Sequence, residues 1–372
     1  MKTDILLLNH GLASGGTDSF VINAAKALQK EGLSVAVSLA VHPDSEKQFR
    51  EDAVLEAGIP VYKTSDLDGI ANILRHCVRL YRLLRREKPH VVHSNMDLFN
   101  GVNLLVALLA GVPVRVSHAH TSKSQYETNT GKHFIVSVYR CFMRFLCRCT
   151  ANRFCGCSEL AMEYLYGKRW KKLRRSAVIF NGIDLEKFNG QNSGAVRREF
   201  APDQKPFHLT TVGYMSETKN PFFTVDVLCA LREIRDDFDF LWIGGGELQA
   251  QVKAYASEKE MNSVIRFAGV RKDVNDILPC MHIFLMPSLF EGLPISLLEA
   301  QASDLVCVVS DTVTTQVDCG KCIFLPLSDG PQKWARKISD ILDGKCALAV
   351  DKERLGKFSA ENTIRQLEEI YS

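Results

Sequence analysis

No run of 18 or more apolar residues occurs in this 372-residue chain, so no stretch reads as a membrane-crossing helix. Its opening, MKTDILLLNH, turns polar too soon for a secretory signal, and the expected compartment is the cytoplasm. The usual phosphate fingerprints are missing too. There is no Gly-x-Gly-x-x-Gly and no Gly-x-x-x-x-Gly-Lys, which removes the dinucleotide and P-loop readings. Cys319 and Cys322 form a lone Cys-x-x-Cys pair without the second pair of a structural zinc site, so the twelve cysteines are expected to be reduced core thiols. Internal repeats and low-complexity tracts are absent.

What is present is an uneven charge. Residues 1–190 carry 26 Lys and Arg against 17 Asp and Glu, whereas 191–372 carry 20 against 26. The basic half is the expected partner of something anionic. Arg140, Arg144 and Arg148 fall four apart among Phe142, Met143, Phe145 and Leu146, the pattern of a helix lying on an anionic bilayer. An ordinary amphipathic helix with a solvated basic face has the same spacing. Nucleic acid is not an expected partner, because no binding motif accompanies the charge.

The length predicts two domains. Apolar strands alternate with helical segments at 5–8, 34–40, 61–62, 91–94, 114–117, 153–157 and 178–180, then at 209–213, 238–243, 265–267, 283–286, 306–309 and 323–325. Such alternation predicts an α/β fold of two Rossmann-like domains with parallel sheets and a ligand cleft at the strands' carboxyl ends. The polar stretch 189–207 reads as the linker. It separates a first domain, 1–188, from a second, 205–350, with 351–372 as a final helical segment.

Chemistry-bearing residues sit where those strands end. In FEGLPISLLEA, Glu291 occupies a strand-to-helix loop with Gly292 and Leu293, Pro294 fits the first helical position, and Glu299 lies in the helix. Free amides and the helix dipole favour a phosphate there, while the two carboxylates suit a sugar and a ribose. Gly15 and Gly16 precede another helix and permit close approach of a donor sugar or its diphosphate. His118 and His120 lie two apart at a strand end, facing one way, too few for a metal site but suited to a substrate hydroxyl. His93 reads as structural. In the second half, Lys219 can neutralise a diphosphate. Gly244, Gly245 and Gly246 leave room for a nucleotide, and Arg271 with Asp273 is a wall for its base.

These segments, with VIFNGIDLEKF and SDTVTTQV, resemble the family four glycosyltransferases of the GT-B fold, in the branch that builds capsular and exopolysaccharide repeat units. The resemblance spans nearly the whole chain. It implies that Glu291 holds the donor sugar, Glu299 the ribose, Lys219 the diphosphate, and that His120, with His118 as the competing assignment, contacts the sugar. It implies configuration-retaining transfer from a nucleotide-sugar, a UDP-sugar, to a lipid-diphosphate-linked saccharide, with no cofactor and no metal. The enzyme would be peripheral on the inner face of the cell membrane, and the helix in 357–371 would return to the first domain. Tyr214 stands among the donor-binding residues where the family has Arg, and Asp304 replaces a Gly. A sugar-nucleotide epimerase of the same fold and a degenerate, non-catalytic binding partner are the alternatives.

Overall fold

The computed structural model describes residues 3–13, 15–121, 133–188, 199 and 205–372. The chain divides into two compact units, the first formed by Met1–Gly182 with Ala360–Ser372 and the second by Ile183–Ser359. The expected linker falls mostly outside the described residues. The crossing into unit 2 comes earlier, after Gly182, and the return comes later, at Ala360. Local pairing explains the shift: Ile183 and Ser359 form an isolated parallel bridge, and Ile183 N–H donates to Phe358 O at 2.9 Å.

Unit 1 has seven parallel strands, β1 (Ile5–Asn9), β2 (Val35–Leu39), β3 (Val61–Lys63), β4 (Val91–Ser94), β5 (Val114–Ala119), β6 (Arg153–Gly156) and β7 (Ser176–Val178), in the order 3-2-1-4-5-6-7. All five residues of β1 are buried, as a strand covered by helices on both faces requires. Helices of eight or more residues are α1 (Gly16–Lys30), α2 (Ile70–Glu87), α3 (Asn100–Leu109), α4 (His133–Thr150) and α5 (Glu159–Tyr166). On α1, Phe20, Val21, Ala24, Ala25 and Leu28 face the core, the stripe that a 3.6-residue period dictates.

Unit 2 holds β8 (Phe207–Val212), β9 (Phe238–Ile243), β10 (Ile265–Gly269), β11 (Ile283–Met286), β12 (Val306–Ser310) and β13 (Cys322–Leu325), all parallel in the order 10-9-8-11-12-13. Its longer helices are α6 (Pro221–Arg232), α7 (Gln249–Glu258), α8 (Ile295–Ala302) and α9 (Gly330–Leu342). The last helix, α10 (Ala360–Tyr371), belongs to unit 1, where Ile364, Leu367 and Ile370 join the core. Each such side chain contributes about 1.5–3 kcal/mol on burial.

Strand order reverses direction between β1 and β4 in unit 1 and between β8 and β11 in unit 2. Open parallel sheets bind ligands at such switch points, beyond the strands' carboxyl ends. The thirteen strands among the described residues overlap the segments that the sequence periodicity places, although β7 and β8 begin two residues earlier and β5 runs on to Ala119, so that His118 lies within it. Two cysteines depart from the core expectation: Cys141 and Cys149 are exposed on α4.

Candidate active site

At the unit 2 switch point, β11 ends at Met286 and the loop to α8 carries Glu291 and the half-buried Gly292. Leu293 is buried and anchors that loop. Pro294 is not the first helical residue; it takes the N-cap with φ −73° and ψ 106°, and α8 opens at Ile295. Glu299 stands half-buried on α8. From the adjacent β8, the chain passes Gly213 and Tyr214 to a 3-10 turn ending at Lys219. Leu289 N–H donates to Thr218 O at 2.8 Å and ties the two loops together.

Lys219 Nζ lies 2.5 Å from Glu291 Oε1, with side chains 27% and 12% exposed. The expected diphosphate cation and the expected sugar carboxylate therefore hold each other. Removing either partner would leave a charge half out of water without compensation.

Two glycines and an arginine of this unit make contacts that the sequence alone does not announce. A Cβ on Gly244 would lie 2.0 Å from Gly213 O, and one on Gly246 would lie 2.4 Å from Met215 N. The Gly213–Met215 backbone fills that space, so these glycines serve loop-against-loop packing. Their φ values, 137° and 152°, also favour glycine. Arg271, expected beside the base, forks onto Asp273 at 2.9 and 2.7 Å, which holds the Asp273 carboxyl below its usual range. The two charges cancel locally. Tyr214 is largely exposed and lines a small pocket with Gly213, Met215, Lys219 and Ser288. Sequence reasoning missed Ser288, whose buried hydroxyl lacks a hydrogen-bond partner among the described residues.

In unit 1 the glycine loop also differs from expectation. Gly15 caps α1 and Gly16 opens it. Asp18 Oδ2 accepts from Ala13 N–H at 3.0 Å and Gly15 N–H at 3.1 Å, while Oδ1 accepts from Asn9 Nδ2 at 2.9 Å. This helix terminus already holds a carboxylate, so the Gly15 amide is occupied and a diphosphate there would meet negative charge. A Cβ on Gly15 would sit 3.2 Å from Asp18 Oδ2, a tight approach.

The histidines form one cluster. His118 and His120 rings stack at 4.1 Å between centroids, as two same-facing residues at a strand end should, and Phe20 packs edge-on to His118 at 4.7 Å. His118 is fully buried, whereas His120 is partly exposed. His93, expected as structural, has Nε2 2.9 Å from His118 Nδ1 and Nδ1 2.7 Å from the Tyr371 hydroxyl. Asp97, with φ 48°, accepts from His120 N–H at 2.8 Å and from the Thr121 hydroxyl at 2.8 Å. Burial is the leading cause that lowers all three imidazoles, His93 to about 3 and His120 to about 4, with His118 also well below the ordinary value. They are neutral at physiological pH.

Asn95 fixes the His120 tautomer. Its Nδ2 points at Leu8 O and His93 O, each at 3.3 Å, so Oδ1 is the acceptor facing His120 Nε2 at 2.9 Å. His120 thus donates through Nε2 and keeps a lone pair on Nδ1, a buried atom without a partner among the described residues. Asn95 and Asp97 were legible only as part of VVHSNMDLFN. Nothing in their spacing announces the tautomer.

What these groups can do is bind: one unit offers a cation and carboxylates, the other neutral acceptors for hydroxyls. Comparison with known proteins gives the same direction. Residues 14–187 match the model described as glycosyltransferase family 4, and residues 206–344 match glycosyl transferases group 1. EpsF of Bacillus subtilis (strain 168), named as a glycosyltransferase, is 30% identical over 342 residues, covering 90% of this chain and 86% of that protein. A UDP-Gal:alpha-D-GlcNAc-diphosphoundecaprenol alpha-1,3-galactosyltransferase of Escherichia coli is 30% identical over 246 residues, covering 64% of this chain and 62% of its own length. Among solved structures, Anabaena Alr3699/HepE in complex with UDP and glucose superposes with a TM-score of 0.80 at 16% identity, covering 98% of both chains, which bears on the fold. Two matched models and 30% identity with EpsF across 90% of this chain decide the membership: the chain belongs to glycosyltransferase family 4 and is a glycosyltransferase of the GT-B fold.

Proposed function

We propose that this enzyme moves a sugar from a UDP-sugar to a lipid-diphosphate-linked saccharide in bacterial surface polysaccharide synthesis, retaining configuration and using neither metal nor cofactor. The observation that carries this reading is the Lys219–Glu291 pair at the β8/β11 switch point. A donor diphosphate exchanges with the carboxylate as the partner of Lys219, and the freed Glu291 oxygens accept from sugar hydroxyls. Glu299 takes the ribose, and the amides opening α8 add to the anion's support. His120 Nδ1 accepts from a sugar hydroxyl.

In the transfer, the bond between C1 and the diphosphate oxygen breaks and a bond from C1 to the acceptor oxygen forms on the same face. The acceptor's proton passes to the departing diphosphate. Lys219 stabilises charge that develops on that leaving group, the kind of interaction that lowers a barrier. The acceptor class rests on the E. coli relative and on the N,N'-diacetylbacillosaminyl-diphospho-undecaprenol alpha-1,3-N-acetylgalactosaminyltransferase of Campylobacter jejuni, 23% identical over 339 residues.

A lipid-linked acceptor fits a surface of unit 1. No described helix is long and apolar enough to cross a membrane. Instead Ile70, Leu74 and Val78 of α2, Leu109 of α3, and Phe142 and Phe145 of α4 are exposed. Gly101 lets α4 approach α3 closely, since a Cβ there would meet Cys147 N at 2.9 Å. The basic stripe of α4 requires correction: Arg144 lies over the Tyr164 ring and Arg148 donates to Tyr166 O. Both are engaged by α5, although Arg148 stays exposed and Arg140 half-buried beside the exposed Phe142 and Phe145, and exposed Arg82 and Arg85 of α2 supply further charge. We read this face as the peripheral contact with the cytoplasmic leaflet.

The test is UDP release from UDP-galactose with N-acetylglucosaminyl-diphospho-undecaprenol in lipid vesicles, repeated across a panel of UDP-sugars. Release only when donor and acceptor are both present, with an axial product linkage from an axial donor, is the expected result. Release without acceptor would point to epimerase-type or hydrolytic chemistry. No turnover with any donor would leave a binding protein.

A further inference from the structure

A buried hydrogen-bond chain runs from α10 into the histidine cluster of unit 1. Tyr371 hydroxyl and His93 Nδ1 are 2.7 Å apart, and His93 Nε2 and His118 Nδ1 are 2.9 Å apart. All three side chains belong to fully or almost fully buried residues. Two proton arrangements satisfy the distances. In one, Tyr371 donates to His93 Nδ1, His93 Nε2–H donates to His118 Nδ1, and His118 carries its proton on Nε2. In the other, every donor reverses, and the Tyr371 hydroxyl hydrogen has no acceptor among the described residues. Each arrangement leaves one buried hydrogen without an acceptor among the described residues, on His118 Nε2 in the first and on the Tyr371 hydroxyl in the second; a phenol is the stronger donor and an imidazole nitrogen the stronger acceptor, which selects the first arrangement.

The consequence reaches His120. In the selected arrangement His118 presents an Nε2–H donor, and the His120 ring stacked on it presents an Nδ1 lone pair. These two atoms are the ones in the cluster without partners among the described residues. One is a donor and the other an acceptor, the complement that a hydroxyl group or a single water requires. Reversing the chain would leave two acceptors and no donor on the stacked rings.

We propose that Tyr371 is a positioning residue: through His93 it fixes His118 as the Nε2–H tautomer, so that the buried His118–His120 stack carries one donor and one acceptor for a hydroxyl or water that enters it. The proposal rests on the reading of His120 as the sugar-contacting histidine.

Its test is Tyr371→Phe, which keeps the ring that packs in the core and removes only the hydroxyl. Histidine-labelled protein is followed by long-range proton–nitrogen correlation spectra, with His93→Gln and His118→Gln used for assignment. Wild type should show protonated Nε2 on His93 and His118, and Tyr371→Phe should mix the tautomers of both. Unchanged tautomers would overturn the proposal. Turnover of UDP-galactose with N-acetylglucosaminyl-diphospho-undecaprenol should fall about 3-fold to 10-fold in Tyr371→Phe, with the donor KM unchanged, matching one neutral hydrogen bond. Shifted tautomers with full turnover, in a background where His120→Ala is inactive, would refute the positioning role. If His120→Ala is itself fully active, the underlying reading of His120 fails even though the hydrogen-bond chain stands.

Discussion

The two units carry their site residues in opposite electrostatic styles. Unit 2 sets a lysine 2.5 Å from a glutamate, and the nearby Arg271 is paired to Asp273. Unit 1 gathers three neutral imidazoles, an asparagine and a tyrosine in a nearly dry cluster. The contrast matches the proposed ligand chemistry: a diphosphate needs countercharge, whereas a hydroxyl needs directed neutral donors and acceptors whose tautomers are fixed. The surfaces differ in the same way. Exposed large apolar residues concentrate on α2, α3 and α4 of unit 1, while unit 2 shows Tyr214, Ile234, Val270 and Leu289 scattered singly, and only the former arrangement makes a patch.

Acid should break the comparison most visibly. Folded His93 titrates at about 3 and His120 at about 4, against roughly 6.5 when unfolded. Because the folded pKa values are depressed, the unfolded state binds more protons below pH 6.5, so stability falls as pH drops from there towards 4 and 3. At pH 5 each such histidine costs about 2 kcal/mol, with His118 shifted in the same direction. In unit 2, Asp273 is shifted below its usual carboxylate range and stays ionised through that window. Urea unfolding at pH 7 and pH 5, resolved by hydrogen exchange, should therefore show unit 1 losing stability and unit 2 nearly constant. Equal loss in both units would mean that the buried histidines do not govern acid sensitivity.

How much of this was legible in the sequence depends on the interaction's range. Strands such as ILLL at Ile5 and IFLM at Ile283 announce themselves because burial on both faces forces an apolar run. Glu291, Lys219 and His120 are visible because each follows a strand end. Their pairing is not. Lys219 meets Glu291 across 72 positions, and Tyr371 meets His93 across 278. The reason for a glycine is equally hidden: Gly15, Gly244 and Gly246 read as ligand loops, yet Asp18 and the Gly213–Met215 loop occupy the space beside them.

The ion pair itself supplies the next test. Lys219→Ala removes the cation proposed for the diphosphate and leaves Glu291 without its partner. Turnover should fall roughly 10-fold to 150-fold, equivalent to about 1.5–3 kcal/mol for one charge-assisted contact, and UDP affinity should fall with it. Adding Glu291→Gln should return part of the UDP affinity, because the unpaired negative charge is gone, but not the turnover. His120→Ala, in the neutral unit, should lower turnover while sparing UDP binding. Titration with UDP and steady-state kinetics separate these outcomes, and UDP binding that tolerates Lys219→Ala would place the diphosphate elsewhere.

The smallest effect concerns the apolar face of unit 1. With Arg144 and Arg148 engaged by α5, the proposed attraction to an anionic bilayer would rest largely on the α2 arginines, and insertion on Phe142 and Phe145. Each phenylalanine lowered into the headgroup boundary contributes about 1 kcal/mol, from roughly 40 Å² of apolar area at ~25 cal/mol/Å². Each of Arg82 and Arg85 near an anionic surface adds about 1 kcal/mol, screened over about 8 Å at physiological ionic strength. Phe142→Ser and Phe145→Ser should each weaken binding to phosphatidylglycerol-containing vesicles about 5-fold at any salt concentration. Arg82→Ser and Arg85→Ser should weaken it by a similar factor at low salt and hardly at all at high salt. Vesicle flotation across a salt series distinguishes the two terms. Binding that salt abolishes completely would assign the contact to charge alone, and binding absent at every salt concentration would remove the membrane from the account of unit 1.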